Sequence, residues 1–281
     1  MIRYPNCKIN IGLNVVRRRD DGYHDLETIF VPVPLCDELE INPATSFSFT
    51  QTGINVGCSP NDNIVVKAFN LMRKECGTRL PDVEISLHKK IPFGAGLGGG
   101  SSDAAFTLRM LNELFDLQIP HDRLRQMAAR LGADCAFFVD NHPAYATGIG
   151  DQLTPLGFNP LQGYTLLITK PDESVSTAEA YRGIIPRNRR CDVAAVDLRE
   201  AARKPIAEWK NLIVNDFEQT VFAAHPRLAA IKADFYSHGA LYAAMSGSGS
   251  TIYAVFQQQS NEAAELHAKY KKVYDTYIYN I

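Results

Sequence analysis

The sequence predicts an α+β protein of two domains, and three observations lead to that fold class. Its 281 residues are enough for two domains of ordinary size. In the first half of the chain, segments with period-two hydrophobic alternation are interspersed with segments of helical spacing. The Gly/Pro-rich stretch TPLGFNPLQGY at 154–164 then marks a boundary, so we place domains at 1–157 and 158–281.

The first domain opens with a clear strand. Residues 7–15 alternate between apolar and polar side chains, which predicts a half-buried strand with Lys8 and Asn10 on its polar face. The other predicted elements are an extended segment at 23–33, helices at 64–74 and 122–131, a strand at 83–91, and a helix from the glycine-rich loop to about Phe115.

The second domain shows a recognisable order of elements. The predicted elements are a strand at 164–170, several helices to about residue 237, strands at 240–245 and 251–256, a helix at 260–271 and a strand at 273–279. This is the split β-α-β order of ferredoxin-like domains.

Composition excludes several classes of protein. Lys plus Arg is 29 and Asp plus Glu is 31, which is not the basic balance of a nucleic-acid binder. The six cysteines form no C-x-x-C pair, and we expect mostly reduced, partly buried thiols, as in cytosol. The opening MIRYPNCKIN does not resemble a secretory signal. We therefore expect a cytoplasmic protein with no nucleic-acid or membrane partner. The further expectations, a monomer or weak homodimer and small-molecule substrates, do not follow from composition.

One loop carries most of the functional signal: PFGAGLGGGSSDAA at 92–105. It contains the pattern G-x-G-x-x-G, but a dinucleotide site also needs an acidic residue at a strand end about 20 positions on. The aspartates in that region, Asp116 and Asp122, lie instead at or beyond the end of the following helix, with no strand ending on either. A P-loop is also excluded, because no Lys precedes Ser101 or Ser102.

A glycine-rich anion cradle of another kind fits the loop better. Consecutive glycines let backbone N–H groups approach phosphate oxygens, and a helix N-terminus favours negative charge. Ser101 and Ser102 are good N-cap types, so we predict that they begin the helix. A flexible turn between strand and helix stays open as the alternative.

The same loop resembles the phosphate-binding motif of the GHMP kinases, the family of galacto-, homoserine, mevalonate and phosphomevalonate kinases. KINIGLNVVRRRDDGYHDLETIF (8–30) and SGSGSTIYAVF (246–256) are similar to the N-terminal and C-terminal motifs of that family. The resemblance runs from Lys8 to the last strand. It implies an N-terminal ribosomal-protein-S5-domain-2-like αβ domain that binds ATP and catalyses, and a C-terminal ferredoxin-like substrate domain.

The resemblance also implies a catalytic pair. Asp134, in the segment LGAD, would be the base, and Lys8 would place its charge near Asp134 and the acceptor hydroxyl. From the residues alone, a turn aspartate and a solvated strand lysine are the alternatives. Cys135-Ala136 follows Asp134 where Val-Pro is usual in the family. We expect this difference to affect the reaction rate and the backbone geometry around Asp134 more than the kind of reaction.

The resemblance implies that the remaining site residues would bind the two substrates. The residues expected to bind ATP are Asn63, Lys89, Pro92, Phe93, Gly94, Ala95, Gly96, Leu97, Gly98, Gly99, Gly100, Ser101 and Ser102. For Lys89, a contact with the nucleotide and a solvated side chain are both open alternatives. Mg²⁺ would bridge the phosphates with help from Ser101 or Ser102, and its direct ligands stay undetermined.

The implied acceptor is a cytidine diphosphate ester of methylerythritol. Its predicted binding residues are Asn10, Tyr23, His24, Thr177 and Tyr181. Tyr23 and Tyr181 would stack on the cytosine, and His24 would bond its polar edge. Without the resemblance, each of these aromatic residues would be interpreted as ordinary core packing.

Three other functions compete with this one. A kinase of homoserine or phosphomevalonate is disfavoured because those alcohols offer no aromatic base to Tyr23 or Tyr181. A non-catalytic nucleotide sensor is disfavoured because both Lys8 and Asp134 are present. An NAD-dependent oxidoreductase is disfavoured by the context of the glycine loop.

We predict that the protein binds ATP–Mg²⁺ and has no measurable affinity for NAD or NADP. The reason is the missing acidic strand end after the glycine loop. Calorimetric titration with each nucleotide measures this directly. Micromolar NAD binding together with no ATP binding would restore the oxidoreductase hypothesis.

Overall fold

The computed structural model describes residues 1–189 and 196–281, and the chain divides into two compact units. The first unit comprises Met1–Lys8, Pro32–Phe93 and Gly98–His142. The second comprises Ile9–Val31, Gly94–Leu97 and Pro143–Ile281. Because these units are interleaved along the chain, they do not test a single cut after residue 157, and that domain boundary stays a prediction.

Within the described residues the chain forms twelve strands and ten α-helices. The strands are β1 (Ile2–Arg3), β2 (Asn6–Arg18), β3 (His24–Cys36), β4 (Glu38–Pro43), β5 (Ser48–Gly53), β6 (Val83–Lys89), β7 (Ala144–Thr147), β8 (Gln152–Pro155), β9 (Tyr164–Lys170), β10 (Tyr242–Met245), β11 (Ile252–Gln257) and β12 (Asp275–Asn280). The helices are α1 (Ile64–Cys76), α2 (Gly99–Leu114), α3 (His121–Ala129), α4 (Cys135–Asp140), α5 (Thr177–Tyr181), α6 (Leu198–Ala201), α7 (Ile206–Trp209), α8 (Phe217–Ala224), α9 (Pro226–Ser237) and α10 (Asn261–Tyr270). Each strand and helix predicted from hydrophobic spacing is present, within a few residues of its predicted bounds.

The predicted α+β class is confirmed in both units. In the first unit, a sheet in the order β1-β4-β6-β5 accompanies helices α1 to α4. In the second, a sheet in the order β10-β11-β9-β12 is antiparallel throughout, with β9 between β11 and β12. That order is the predicted ferredoxin-like arrangement. A third sheet has the order β2-β3-β7-β8.

Two further features bear on sequence-based expectations: membrane-spanning helices and the state of the cysteines. No helix in the described part of the chain is both long and apolar enough to cross a membrane. The described cysteines are all free: Cys7, Cys76 and Cys135 are buried, Cys36 is half-buried and Cys58 is exposed. The sixth, Cys191, lies outside the described residues.

Strand β2 differs from its prediction in one respect. The alternation of apolar and polar residues is present, but the polar face is not solvated: Lys8 is 4% exposed and Asn10 is 3% exposed. Polar partners cover these side chains within their own units. They are Asp134 for Lys8 and Thr28 for Asn10. The half-buried strand and the solvated Lys8 are therefore both wrong.

Lys89, at the end of β6, has an arrangement that the sequence did not predict. Its side chain is 3% exposed, and its Nζ pairs with the carboxylates of Asp37 and, at 2.7 Å, Asp103. Burial alone would lower the pKa of the Lys89 ammonium, but the two carboxylates outweigh burial and raise that pKa. The solvated alternative is therefore wrong, and the nucleotide contact of Lys89 stays a prediction.

This buried ion cluster fixes both ends of the glycine loop. Asp37 Oδ1 accepts the backbone N–H groups of Lys90 and Ile91, at 2.6 and 2.8 Å, where the chain leaves β6. Asp103 lies in the first turns of α2, where the loop ends. Lys89 joins the two carboxylates, so the strand before the loop and the helix after it are held together.

We predict that Lys89→Met lowers the free energy of unfolding by about 3–5 kcal/mol, because two buried carboxylates lose their counter-ion. Denaturation in urea, followed by circular dichroism, measures the change. Asp103→Asn should cost much less, since the Lys89–Asp37 pair survives.

Lys90→Met is the matched control for this prediction. Its side chain is 51% exposed, so we expect stability within about 0.5 kcal/mol of the wild type. Equal stability of Lys89→Met and Lys90→Met would show that the cluster contributes little.

Candidate active site

Lys8 and Asp134 lie together in the first unit, with 3.2 Å between Lys8 Nζ and Asp134 Oδ2. Lys8 comes from β2, and Asp134 directly precedes α4. The Asp134 side chain is 31% exposed while that of Lys8 is 4% exposed, so the carboxylate is the member that a substrate can reach. The predicted proximity of the two groups is confirmed, and their catalytic roles stay a prediction.

The glycine loop alternates between left-handed glycines and buried apolar residues. Gly94, Gly96 and Gly98 have φ of 62°, 73° and 70°, and Ala95 and Leu97 between them are buried. The buried side chains anchor the loop, and the left-handed glycines allow its backbone to turn at alternate positions.

Gly98 places the end of this loop against Lys8. A Cβ built on Gly98 would lie 3.1 Å from Lys8 Cε and 3.1 Å from the Phe138 ring. The end of the glycine loop therefore lies directly beside the Lys8–Asp134 pair in the first unit. Only glycine can adopt this left-handed conformation and approach Lys8 so closely.

The two serines of the motif do not cap the helix, and this corrects the sequence-based prediction. Gly98 is the N-cap of α2, while Ser101 and Ser102 lie inside its first turn. The cap position takes a left-handed conformation that favours glycine over serine. The first N–H groups of α2 have no intrahelical partner, which makes this terminus suited to an anion.

The serine hydroxyls have different surroundings. Burial raises the pKa of the Cys135 thiol to about 12, an effect that a hydrogen bond with Ser101 opposes. The thiol beside Asp134 is therefore neutral at ordinary pH. The Ser102 hydroxyl is buried and has no hydrogen-bond partner among the described residues.

A cavity of about 380 Å³ in the first unit has Asn63 in its wall. The Asn63 side chain is committed to that wall: Oδ1 accepts the Val65 N–H at 2.9 Å, and Nδ2 donates to Gln51 Oε1 at 2.9 Å. Gly53, at the end of β5, also lines the cavity. Asn63 therefore shapes a cavity wall, and its predicted position near adenine stays a prediction.

Two of the predicted acceptor residues lie against the C-terminal glycine loop, residues 246–250, in the second unit. The Asn10 N–H donates to Ser246 Oγ at 3.2 Å. The hydroxyls of Thr177 and Ser248 are 3.5 Å apart. This loop therefore connects the strand that carries Asn10 to the start of α5.

The three aromatic residues predicted to bind the acceptor differ in their surroundings. His24 stacks on Tyr181, with ring centroids 4.6 Å apart and 21° between planes, while Tyr23 is 62% exposed. Tyr181 also contacts Phe217 edge-on at 4.8 Å. Burial and the nearby Arg18 lower the pKa of His24, so its ring is neutral. The structure thus brings His24 and Tyr181 together and leaves Tyr23 in solvent.

Three residues that organise the site have no role predicted from the sequence: Asp37, Asp103 and Asn215. Asp103 had a usable signal, since it is the one carboxylate within the motif GGGSSDAA. Asp37 had none, because its partner Lys89 is 52 positions away. Asn215 bonds backbone of the C-terminal glycine loop, which only the tertiary structure reveals.

Two family models match the chain. The model described as GHMP kinases N terminal domain matches residues 63–147, and the one described as GHMP kinases C terminal matches residues 197–276.

Individual proteins agree with these matches. A Bacteroides thetaiotaomicron protein named 4-diphosphocytidyl-2-C-methyl-D-erythritol kinase is 49% identical over 263 residues, which are 92% of this chain and 93% of that protein. A crystal structure of 4-(cytidine 5'-diphospho)-2C-methyl-D-erythritol kinase has a TM-score of 0.83 and 29% identity, covering 99% of this chain and 98% of that one. Mevalonate kinase of Methanococcus jannaschii, with a TM-score of 0.71 and 14% identity, covers 99% and 96% and shows the fold alone.

Proposed function

The chain belongs to the GHMP kinase family, and from that premise we propose that it phosphorylates the 2-hydroxyl of 4-diphosphocytidyl-2-C-methyl-D-erythritol with ATP. Such an enzyme is a phosphotransferase with an alcohol acceptor, and it serves the non-mevalonate route to isoprenoid precursors. The observation that carries the proposal is the Lys8–Asp134 pair beside Gly98 at the end of the glycine loop. The 49% identical relative supports the choice of acceptor.

Asp134 would accept the proton of the acceptor hydroxyl. It is the more exposed member of the pair, and its side chain makes no capping bond to α4. A carboxylate within hydrogen-bond reach of a reacting hydroxyl can act as general base. The oxygen that loses this proton would then attack the γ-phosphorus in line with the bridging oxygen that departs with ADP, so that the γ-phosphoryl group passes to the acceptor.

Lys8 would stabilise the charge that forms in this step. Its buried ammonium lies 3.2 Å from Asp134 Oδ2, so it would also lie close to the deprotonating hydroxyl. A fixed positive charge at that place helps most when negative charge develops on the oxygen. Lys8 is therefore expected to act on turnover more than on binding.

ATP would bind through the glycine loop and the first turn of α2. The backbone of Gly94–Ser102 would hold its phosphates, and the cavity lined by Asn63 would hold its base. When bound with ATP, a magnesium ion neutralises charge on the phosphates. The buried Ser102 hydroxyl, which has no hydrogen-bond partner among the described residues, fits the preference of this ion for oxygen ligands.

The cytidine end of the acceptor would bind to residues of the second unit. Tyr181 offers an aromatic face, the neutral His24 offers a hydrogen-bonding ring edge, and the exposed Tyr23 has room to close on a base. Since His24 already lies on Tyr181, a base that stacks there must take the place of the His24 ring. Asn10 and Thr177 would contact the remainder of the acceptor.

The direct test is phosphoryl transfer from radiolabelled ATP to a panel of alcohols. We expect transfer to the cytidylated methylerythritol and none to homoserine or phosphomevalonate.

Asp134→Asn should lower single-turnover transfer by about 10²–10⁴-fold, since a positioned base contributes that much. Lys8→Met should lower kcat more than it raises KM.

ATP affinity is the control for both variants. It should stay close to the wild-type value, because neither side chain belongs to the proposed nucleotide site. An Asp134→Asn enzyme within a few-fold of the wild-type rate would remove Asp134 from the mechanism. A Lys8→Met enzyme changed only in KM would make Lys8 a binding residue.

We predict that Tyr23→Ala raises the KM for the acceptor and leaves ATP affinity unchanged. Stacking on one aromatic is worth about 1–3 kcal/mol, which corresponds to roughly 5- to 150-fold in affinity. Steady-state kinetics with each substrate varied in turn measures the effect. Tyr23 is 62% exposed, so its loss should leave the melting temperature unchanged.

Tyr181 needs a paired comparison, because its ring also packs on Phe217. Tyr181→Ala should weaken acceptor binding and also lower the melting temperature, whereas Tyr181→Phe, which keeps the ring, should preserve both. Equal use of uncytidylated methylerythritol phosphate by the wild type would contradict the proposed recognition of cytosine.

A further inference from the structure

The C-terminal glycine loop, residues 246–250, is held by side chains at the start of helix α8: Asn215, two residues before the helix, and Glu218, in its first turn. Asn215 Nδ2 donates to the carbonyl oxygens of Met245 and Gly247, each at 2.8 Å. Its Oδ1 accepts the Phe217 N–H at 3.0 Å. Asn215 is 3% exposed, so these bonds are protected from water. One amide thus joins the start of a helix to the start of a glycine loop.

A second side chain from the same helix completes the arrangement. Glu218 Oε1 accepts the Met245 N–H at 2.8 Å, and its Oε2 accepts Lys232 Nζ at 2.6 Å. The N–H and the carbonyl of Met245, the last residue of β10, are therefore both bonded by side chains from one helix start. The position of the loop is set from outside its own sequence.

The loop so held contacts the phosphate-binding segment. Ser246 Oγ donates to the Gly96 carbonyl at 2.9 Å and accepts the Asn10 N–H at 3.2 Å. A Cβ on Gly96 would lie 2.1 Å from the Ser246 carbonyl oxygen, so the two backbones are in direct contact. A shift of residues 246–250 must therefore move Gly96 or break these bonds.

We infer that Asn215 and Glu218 are positioning residues for phosphoryl transfer. They fix the C-terminal glycine loop, which in turn fixes Gly96 and the backbone of Asn10. This inference rests on the proposed function for its kinetic consequences, although the loop geometry itself does not. A misplacement of 1 Å far from the chemistry can cost about 10²-fold in rate.

The main test is Asn215→Asp. The variant retains an oxygen toward the Phe217 N–H but places an oxygen, instead of a donor, against the carbonyls of Met245 and Gly247. We expect kcat/KM to fall about 10²-fold, the effect of a small misplacement, and the Kd for ATP to rise. We also expect faster hydrogen exchange in residues 246–250.

Ser260→Ala is the control for loss of a side-chain hydrogen bond at a helix start elsewhere in the same unit. Ser260 Oγ accepts the Ala263 N–H at 3.1 Å at the start of α10 and contacts Glu262. We expect a small loss of stability, kinetics within twofold of the wild type, and unchanged exchange in the glycine loop.

Glu218 supplies a second test that does not depend on the folding of Asn215→Asp. Glu218→Gln keeps an oxygen for the Met245 N–H and loses only the charge toward Lys232, so its kinetics should stay near the wild type. Glu218→Ala loses the loop bond, so its kcat/KM should fall at least tenfold below that of Glu218→Gln. Equal losses in the two variants would overturn the role of Glu218.

The outcomes separate this inference from the proposed function. A folded Asn215→Asp protein with wild-type ATP affinity and unchanged exchange in residues 246–250 overturns the inference, whatever the acceptor. If the wild type does not phosphorylate the cytidylated methylerythritol, the proposed function fails. The Kd for ATP and the rate of hydrogen exchange in residues 246–250, compared between the wild type and Asn215→Asp, still decide the role of Asn215.

Discussion

The polar side chains of strand β2 are buried, and this constraint decides what distant parts of the chain must supply. A lysine or an asparagine removed from water is stable only if a charge or a hydrogen bond replaces its hydration. In the first unit Asp134 meets that need for Lys8, and in the second unit Thr28 meets it for Asn10. Asp134, the proposed catalytic base, is thus also the group that makes the burial of Lys8 in strand β2 stable.

Hydrophobic spacing predicted the strands and helices well because it is a local property of the chain. It could not predict the solvation of β2, because alternation shows that two faces differ and does not show what covers the polar one. The partner of Lys8 is Asp134, and the oxygen that receives the Asn10 N–H belongs to Ser246. Both come from segments far along the sequence, so no window around residue 8 contains the information.

The glycine motif leads into a helix, as its sequence predicts, but the way that helix begins depends on backbone conformation. Serine is an average favourite at an N-cap, yet the cap of α2 has φ of 70°, a conformation open to Gly98 and strained for serine. Lys89 illustrates the complementary limit. Its position at a strand end suggested solvent or a nucleotide, and only the fold brings Asp37 and Asp103 to it.

Strands β5 and β6 are parallel, and their register pairs Gly53 with Lys89. A Cβ on Gly53 would lie 2.2 Å from the Lys89 carbonyl oxygen, and the Ile54 N–H donates to that same oxygen at 3.0 Å. Main-chain contacts therefore tie the wall of the proposed base cavity to residue 89, where the chain leaves β6 for the glycine loop. In the proposed ATP site, a side chain exchanged elsewhere in the cavity wall would therefore alter the fit of the base without moving the end of β6, whereas a side chain at Gly53 would displace it.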